Sequence, residues 1–179
     1  MPLQYNVSQL LKSDVGATRA YDFDSDAPLD LDGAVATDIT GCVKFTLTNF
    51  SVLACAEARA TLHLTCARCL DPYESPVDIT FDEEYQPTID IFSGLPSTGP
   101  RNDAAFVITA NHTIDLTEAL RQNLLLAVEL IPLCSEACKG LCASCGANLN
   151  TETCACPPVQ ETSPFAALQG LLSGPQARE

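Results

Sequence analysis

Apolar and polar residues alternate along three successive stretches of this chain, and a period of two marks strands with one buried face. In the first, Val43, Phe45 and Leu47 fall on one side and Lys44, Thr46 and Thr48 on the other. A turn at Thr48, Asn49, Phe50 and Ser51 then returns the chain into a long second strand. Its one face carries Val52, Ala54, Ala56, Ala58, Ala60, Leu62 and Leu64. A third strand sets Val77, Ile79 and Phe81 inward and Asp78, Thr80 and Asp82 outward. Strands that succeed one another without helical crossovers predict an antiparallel sheet with one wet face. We expect this sheet to curl toward a barrel.

Elsewhere the period changes. Residues 6–12 predict a short helix that leads into a polar, aspartate-rich stretch through Asp32. Residues 86–103, punctuated by Pro87, Gly94, Pro96, Gly99 and Pro100, predict a mobile loop. A short strand over 104–109 and a turn at Ala110, Asn111 and His112 come next. Asp115 and Glu118 then stand at the N-cap and N3 positions of a helix, as in a capping box. Leu116, Leu120, Leu124, Ala127 and Val128 form its apolar stripe, and Pro132 is expected to stop it. Ser163 and Pro164 signal a last helix, with Phe165, Leu168, Leu171 and Leu172 as a docking face. The whole reads as an α+β protein in three parts: a β-rich domain over 1–133, a module over 134–156, and a tail with its docking helix over 157–179.

The module carries the chemistry. Cys134, Cys138, Cys142, Cys145, Cys154 and Cys156 crowd into it, and Cys66 and Cys69 wait far upstream. Thiolates two or three residues apart can close on one tetrahedral ion, because a single tight turn aims both sulfurs at the same point. Gly140 and Gly146 flank the central pair, and glycine allows the positive φ that such a turn often needs. The spacings favour two ions. Cys142, Cys145, Cys154 and Cys156 make one four-sulfur set within a short loop. Cys66 and Cys69, at the end of a strand, need a partner pair that Cys134 and Cys138 can supply. Other assignments, such as Cys138 replacing one of the first four, stay open. An all-cysteine set is closed and structural, whereas a catalytic zinc keeps a position for water.

Cys42 and Cys55 lie on the outward parity of their strands and read as free thiols. His63 falls on a polar face and His112 in a turn, and both read as solvated. The aspartates at 22, 24, 26, 30 and 32 form a solvated run, not a positioned pair. No nucleophile motif and no phosphate-cradling glycine loop is present, so an enzyme is not expected. A thiol redox protein or sensor using Cys66 and Cys69 is the rival reading. It wants a thiolate at a helix N-terminus, however, and this motif ends a strand.

Composition narrows the setting. The chain has 179 residues, 46% of them apolar, which suffices for a sizeable core. No apolar run approaches the roughly 18 residues that would span a bilayer. Its start lacks the basic and apolar stretches of a secretory signal, so a cytoplasmic location is expected, where clustered cysteines hold metal more often than disulfides. The formal charge of −14 argues against tight, sequence-independent binding to nucleic acid, DNA included, and a four-thiolate zinc centre would add about −2. Basic protein partners suit such a surface better.

Cys66, Arg68, Cys69 and Leu70, followed by the helix and then by Gly140, Leu141, Cys142, Cys145, Gly146, Asn148, Leu149 and Asn150, carry a resemblance. With Cys154 and Cys156 these elements resemble the YceD family, which is linked to accumulation of large-subunit ribosomal RNA in bacteria and chloroplasts. The likeness takes in the strand-rich front, the helix start at Ile114, Asp115 and Leu116, the cysteine module, and the tail from Ser163 to Leu168. It implies a role in ribosome biogenesis, with a ribosomal protein or biogenesis factor as partner and rRNA contacted directly or indirectly. It implies no catalytic residues. Apart from the resemblance, a zinc-stabilised protein–protein adaptor with no ribosomal link is a further rival.

Overall fold

The alternating stretches become the centre of a mixed β-sheet in a computed structural model that describes residues 3–97 and 106–156. Among these residues the chain order is β1 (Gln4–Asn6), α1 (Ser8–Leu11), β2 (Thr18–Ser25), β3 (Leu29–Asp30), β4 (Val35–Leu47), β5 (Val52–Thr65), β6 (Pro72–Pro87), β7 (Phe106–Ile108), β8 (Thr113–Asp115) and α2 (Thr117–Ala127). The large sheet runs β2-β4-β5-β6-β7, with β3 also on β4. Turn 48–51 joins β4 to β5. There Thr48 N–H donates to the Ser51 carbonyl at 2.9 Å, and Thr48 Oγ1 accepts from Ser51 N–H at 3.0 Å.

Size complementarity across the rows explains the alanines of β5. One row reads Phe23, Gly41, Ala58, Ile79 and the next Tyr21, Val43, Ala56, Phe81. Small residues on the central strand leave room for the rings on its neighbours, which is how a core reaches close packing. At Gly41 the fit is tightest, since a Cβ there would meet the Phe23 ring at 2.7 Å.

The inner face is covered by the remaining elements. Leu10 of α1 and Leu116, Leu120 and Leu124 around α2 are fully buried, each contributing about 2 kcal/mol of apolar transfer. β1 pairs with β8, and Tyr5 lies 5.0 Å from the Tyr21 ring and 5.4 Å from the Phe45 ring. Tyr85 Oη donates to the Asp115 carbonyl at 3.2 Å and ties the large sheet to the small one.

Several expectations are corrected. The sheet does not close into a barrel: β2 and β7 end it unpaired with each other, and residues of both helices and of the small sheet join its apolar core. It is also not wholly antiparallel, because β7 joins β6 in parallel after the excursion between them. The aspartate-rich stretch contains β2, where Asp22 and Asp24 face outward while Phe23 and Ser25 are buried; the density of charge masks an alternating strand. The first helix shrinks to Ser8–Leu11, its expected start being β1. The expected loop yields residues 86 and 87 to β6, while 98–103 lie outside the described residues. Leu116, and not Asp115, is the N-cap residue of α2; Asp115, one position earlier, accepts from Thr117 N–H through Oδ1 at 2.9 Å. Glu118, expected to reach back, is instead held by Arg121 and Gln122. Helix α2 stops at Ala127, where Val128 turns extended, and not at Pro132. The Pro132 carbonyl accepts from Ala67 N–H at 2.8 Å, which docks the following segment beside the Cys66 turn. The expected docking helix in 157–179 lies outside the described residues.

Candidate metal centres

Strand β5 ends at Thr65 and delivers Cys66 into a tight turn. Leu70 N–H closes it on the Cys66 carbonyl at 3.0 Å, with Leu70 at φ +61°. The module repeats the device: Gly146 N–H donates to the Cys142 carbonyl at 2.9 Å, with Gly146 at φ +75°. In each turn the residue after the second cysteine adopts the left-handed conformation, at no steric cost to glycine and some cost to leucine.

These turns assemble two groups. Cys66, Cys69, Cys134 and Cys138 bring their sulfurs within 4.8 Å of one another, as do Cys142, Cys145, Cys154 and Cys156. In the first group, the Cys66 and Cys138 sulfurs are 3.8 Å apart and those of Cys69 and Cys134 3.7 Å. A sulfur tetrahedron at the usual zinc–sulfur distance of about 2.3 Å has an edge of about 3.8 Å, whereas a disulfide needs about 2.05 Å. The first group is mostly buried, with Cys134 exposed, and the second is more open. Each could hold a metal ion.

The electrostatics point the same way. Backbone hydrogen bonds from Cys134, Cys69 and Arg68 lower the Cys66 thiol to about 6 despite its burial. At Cys69 the Asp71 N–H pulls downward, yet burial and the neighbouring Cys66, Cys134 and Cys138 sulfurs push it up to about 12. In the second group, Cys142 is lowered to about 6 by the N–H groups of Cys145 and Ser144. Cys156, against Cys145 and partly buried, is pushed up to about 12. Cys138 is lowered as well, first by its hydrogen bond from Asn150, while Cys134 and Cys154 are raised; like charges this close cannot all persist without a cation. A bound divalent ion reverses that logic and deprotonates the set.

The module itself has little apolar core. Between residues 134 and 156 only Cys138 and Gly140 are buried, and the small cluster around Cys66, Cys69 and Cys138 adds only Tyr73 and Leu133. Polar contacts seat it instead. Arg68 Nη1 donates to the Cys138 carbonyl at 3.1 Å, and Leu141 N–H donates to the Arg68 carbonyl at 3.2 Å. Asn148 Nδ2 donates to Asp71 Oδ2, and Asn150 Nδ2 donates to Cys138 Sγ at 3.3 Å. Spacing arguments single out the cysteines but pass over these asparagines, although both belong to the same motif.

Cys42 is exposed and Cys55 half-buried on the outer face, and neither joins a group. The Cys55 thiol is raised, first by its hydrogen bond to Asp82. His63 sits 2.9 Å from Thr37 Oγ1 and 3.6 Å from Glu74. His112, expected in solvent, has its Nδ1 buried without a partner among the described residues.

Fold and site together define a sheet protein whose central strand and following module converge on two four-cysteine groups, each able to hold a metal ion. The family model described as "Large ribosomal RNA subunit accumulation protein YceD" matches residues 54–172, a span that includes both groups, and the chain belongs to this family. It is similar to the Arabidopsis thaliana protein named "Large ribosomal RNA subunit accumulation protein YCED homolog 1, chloroplastic". The two are 28% identical over 163 residues, 84% of this chain and 46% of the relative. The Zea mays protein of the same name is 45% identical over 59 residues, 31% of this chain and 20% of the relative. The chain therefore spans less than half the length of these curated relatives. No solved structure gives a significant match.

Proposed function

We propose that this protein is a non-enzymatic factor for accumulation of large-subunit ribosomal RNA, stapled by two structural zinc ions and acting through a protein partner. The observation that carries the reading is the family match over residues 54–172, a span that takes in both cysteine groups. Zinc is favoured among thiophilic ions because all-cysteine tetrahedral sets are its structural form. Such sets leave no position for substrate water, in keeping with a binding role. The net charge of −14 speaks for a basic partner, such as a ribosomal protein or biogenesis factor, and against a direct grip on RNA phosphates. A reducing compartment such as the cytoplasm suits the free thiols.

The test is depletion of the protein followed by quantitation of large- and small-subunit rRNA. Selective loss of the large-subunit species is expected, and unchanged levels would remove the ribosomal reading. Binding of purified protein to naked rRNA and to ribosomal proteins at physiological salt addresses the mode. Nanomolar affinity for RNA alone would overturn it. Metal content measured beside free-thiol titration separates zinc staples from redox thiols: tightly held zinc with masked Cys66 and Cys69 is expected.

A further inference from the structure

Residues 147–150 lie in sequence between Cys145 and Cys154, so their path is set by the second cysteine group. Their polar side chains, however, serve the first. Asn148 reaches Asp71, whose carbonyl accepts from Cys66 N–H at 2.9 Å. Asn150 reaches the other half of that group. Its Oδ1 accepts from Lys139 N–H at 2.8 Å, and its Nδ2 donates to Cys138 Sγ at 3.3 Å. The Lys139 N–H settles which way the amide points, since only the oxygen can face a donor. Asn148 Oδ1 in turn accepts from Asn150 N–H at 3.0 Å and holds the two asparagines as one unit. The backbone reinforces the link, with Leu149 N–H on the Gly140 carbonyl at 2.9 Å and Leu141 N–H on the Arg68 carbonyl at 3.2 Å.

We infer that Asn150 is a positioning residue that couples the two metal centres, so that filling the Cys142 group raises the affinity of the Cys66 group. The inference rests on the metal reading above. An ion at Cys142, Cys145, Cys154 and Cys156 fixes both ends of the 147–150 segment. Asn150 is thereby pre-placed to donate to the Cys138 thiolate, a bond that strengthens when the sulfur is ionised. Outer-shell donors of this kind are worth about 10- to 100-fold in metal affinity. Linkage makes the effect reciprocal, so a filled Cys66 group must also tighten the Cys142 group.

The experiment uses the full chain loaded with cadmium-113, whose two four-sulfur resonances are assigned with cysteine variants and followed during challenge with a competing chelator. Asn150→Ala should lose cadmium from the Cys66 group at about 10- to 100-fold lower chelator and shift that resonance. Asn150→Asp keeps the acceptor for Lys139 but removes the donor and sets a carboxylate against a thiolate. It should be at least as weak as the alanine variant. If Asn150 served only to shape the loop through Lys139, Asn150→Asp would match wild type, and that result overturns the inference. A Cys145→Ser/Cys154→Ser chain should weaken the Cys66 group as much as Asn150→Ala does, with no further loss when the changes are combined. Additive losses, or an unaltered Cys66 group, also overturn it. Wild-type protein that holds no cadmium or zinc at either group would instead overturn the metal reading itself, and the coupling with it.

Discussion

Two glycines in the module offer a matched pair of perturbations that touch no ligand. Gly140 and Gly146 both adopt left-handed backbone, at φ +73° and +75°. Alanine at either must accept that conformation, which costs a residue with a Cβ about 1–2 kcal/mol. At Gly146 nothing lies within 4 Å of the added methyl, so the conformational cost stands alone. At Gly140 the methyl would also sit 3.1 Å from the Arg68 carbonyl oxygen, the acceptor for Leu141 N–H. That oxygen is backbone inside the Cys66 turn, so it can withdraw only by disturbing the turn. Overpacking of this kind adds about 1–2 kcal/mol. If metal binding and module folding are one process, these costs appear as lost affinity at tenfold per 1.4 kcal/mol. Gly146→Ala should weaken the Cys142 group about 5- to 30-fold, and Gly140→Ala should weaken the Cys66 group about 30-fold or more. Zinc competition against a chromophoric chelator, run on both variants and wild type, reads the difference. Equal losses, or a smaller loss for Gly140→Ala, would refute the proposed contact between module and sheet.

Three further outcomes are expected. Gly41→Ala would press a methyl against the Glu57 carbonyl oxygen and to 2.9 Å from Ala58 Cα. Neither can rotate away, so a loss of about 3 kcal/mol or more is expected in urea unfolding, and wild-type stability would contradict the β4–β5 register. Glu118 is held down to about 2 by its hydrogen bonds from Arg121 and then Gln122, against a reference value of 4.5. Its contribution is therefore present above pH 4.5 and fades as pH falls toward 2. The stability gap between wild type and Glu118→Gln should narrow across that window, and a constant gap would count against the pair. Finally, chelation should expose the amides of residues 134–156 to hydrogen exchange while β4, β5 and β6 stay protected, since the sheet has its own core. Simultaneous loss of both would show that the module is not an independent layer.

The parts of this fold legible in the sequence are those where one physical rule acts alone. Val43, Phe45 and Leu47, and the seven inward positions of β5, follow a strict period of two and are all buried. Short spacings likewise mark which cysteines can act as a pair, but they leave open which pairs share a group. The structure brings Cys66 and Cys69 to Cys134 and Cys138, a meeting across 65 residues or more. What resists reading is decided by tertiary context. Strand β2 looks like a solvated acidic run because its outward positions are Asp22 and Asp24, and only its partner β4 shows that Phe23 fills the space over Gly41. Strands β1 and β8 have three residues each and exist through each other, so no local pattern marks them. The parallel entry of β7 beside β6 likewise depends on where a long excursion returns. Glu118 has two suitors in sequence, its own helix start and Arg121, and a bidentate guanidinium is the stronger partner.

The placement of the cysteine groups gives the sheet and the module different physical supports. The sheet is held by apolar burial, which needs no ion and persists in any reducing or oxidising setting. Between residues 134 and 156 that support is nearly missing, and Arg68, Asp71, Asn148 and Asn150 supply directional contacts instead. Directional contacts hold a surface in one arrangement only while their anchors are fixed, and here the anchors are eight thiols. If the two groups hold metal as proposed, a module built this way presents its surface when metal is bound and loses it when metal is withdrawn. If the partner of this protein docks on the module, its affinity should follow metal occupancy even though no ligand touches it. Partner capture from metal-loaded and chelated protein, at equal concentrations, would test this. Equal capture would move the docking surface onto the sheet, whose outer face carries Asp22 and Glu57 in one row, Asp24 and Asp78 in the next with Arg59 between them, and Asp82 in a third with Lys44.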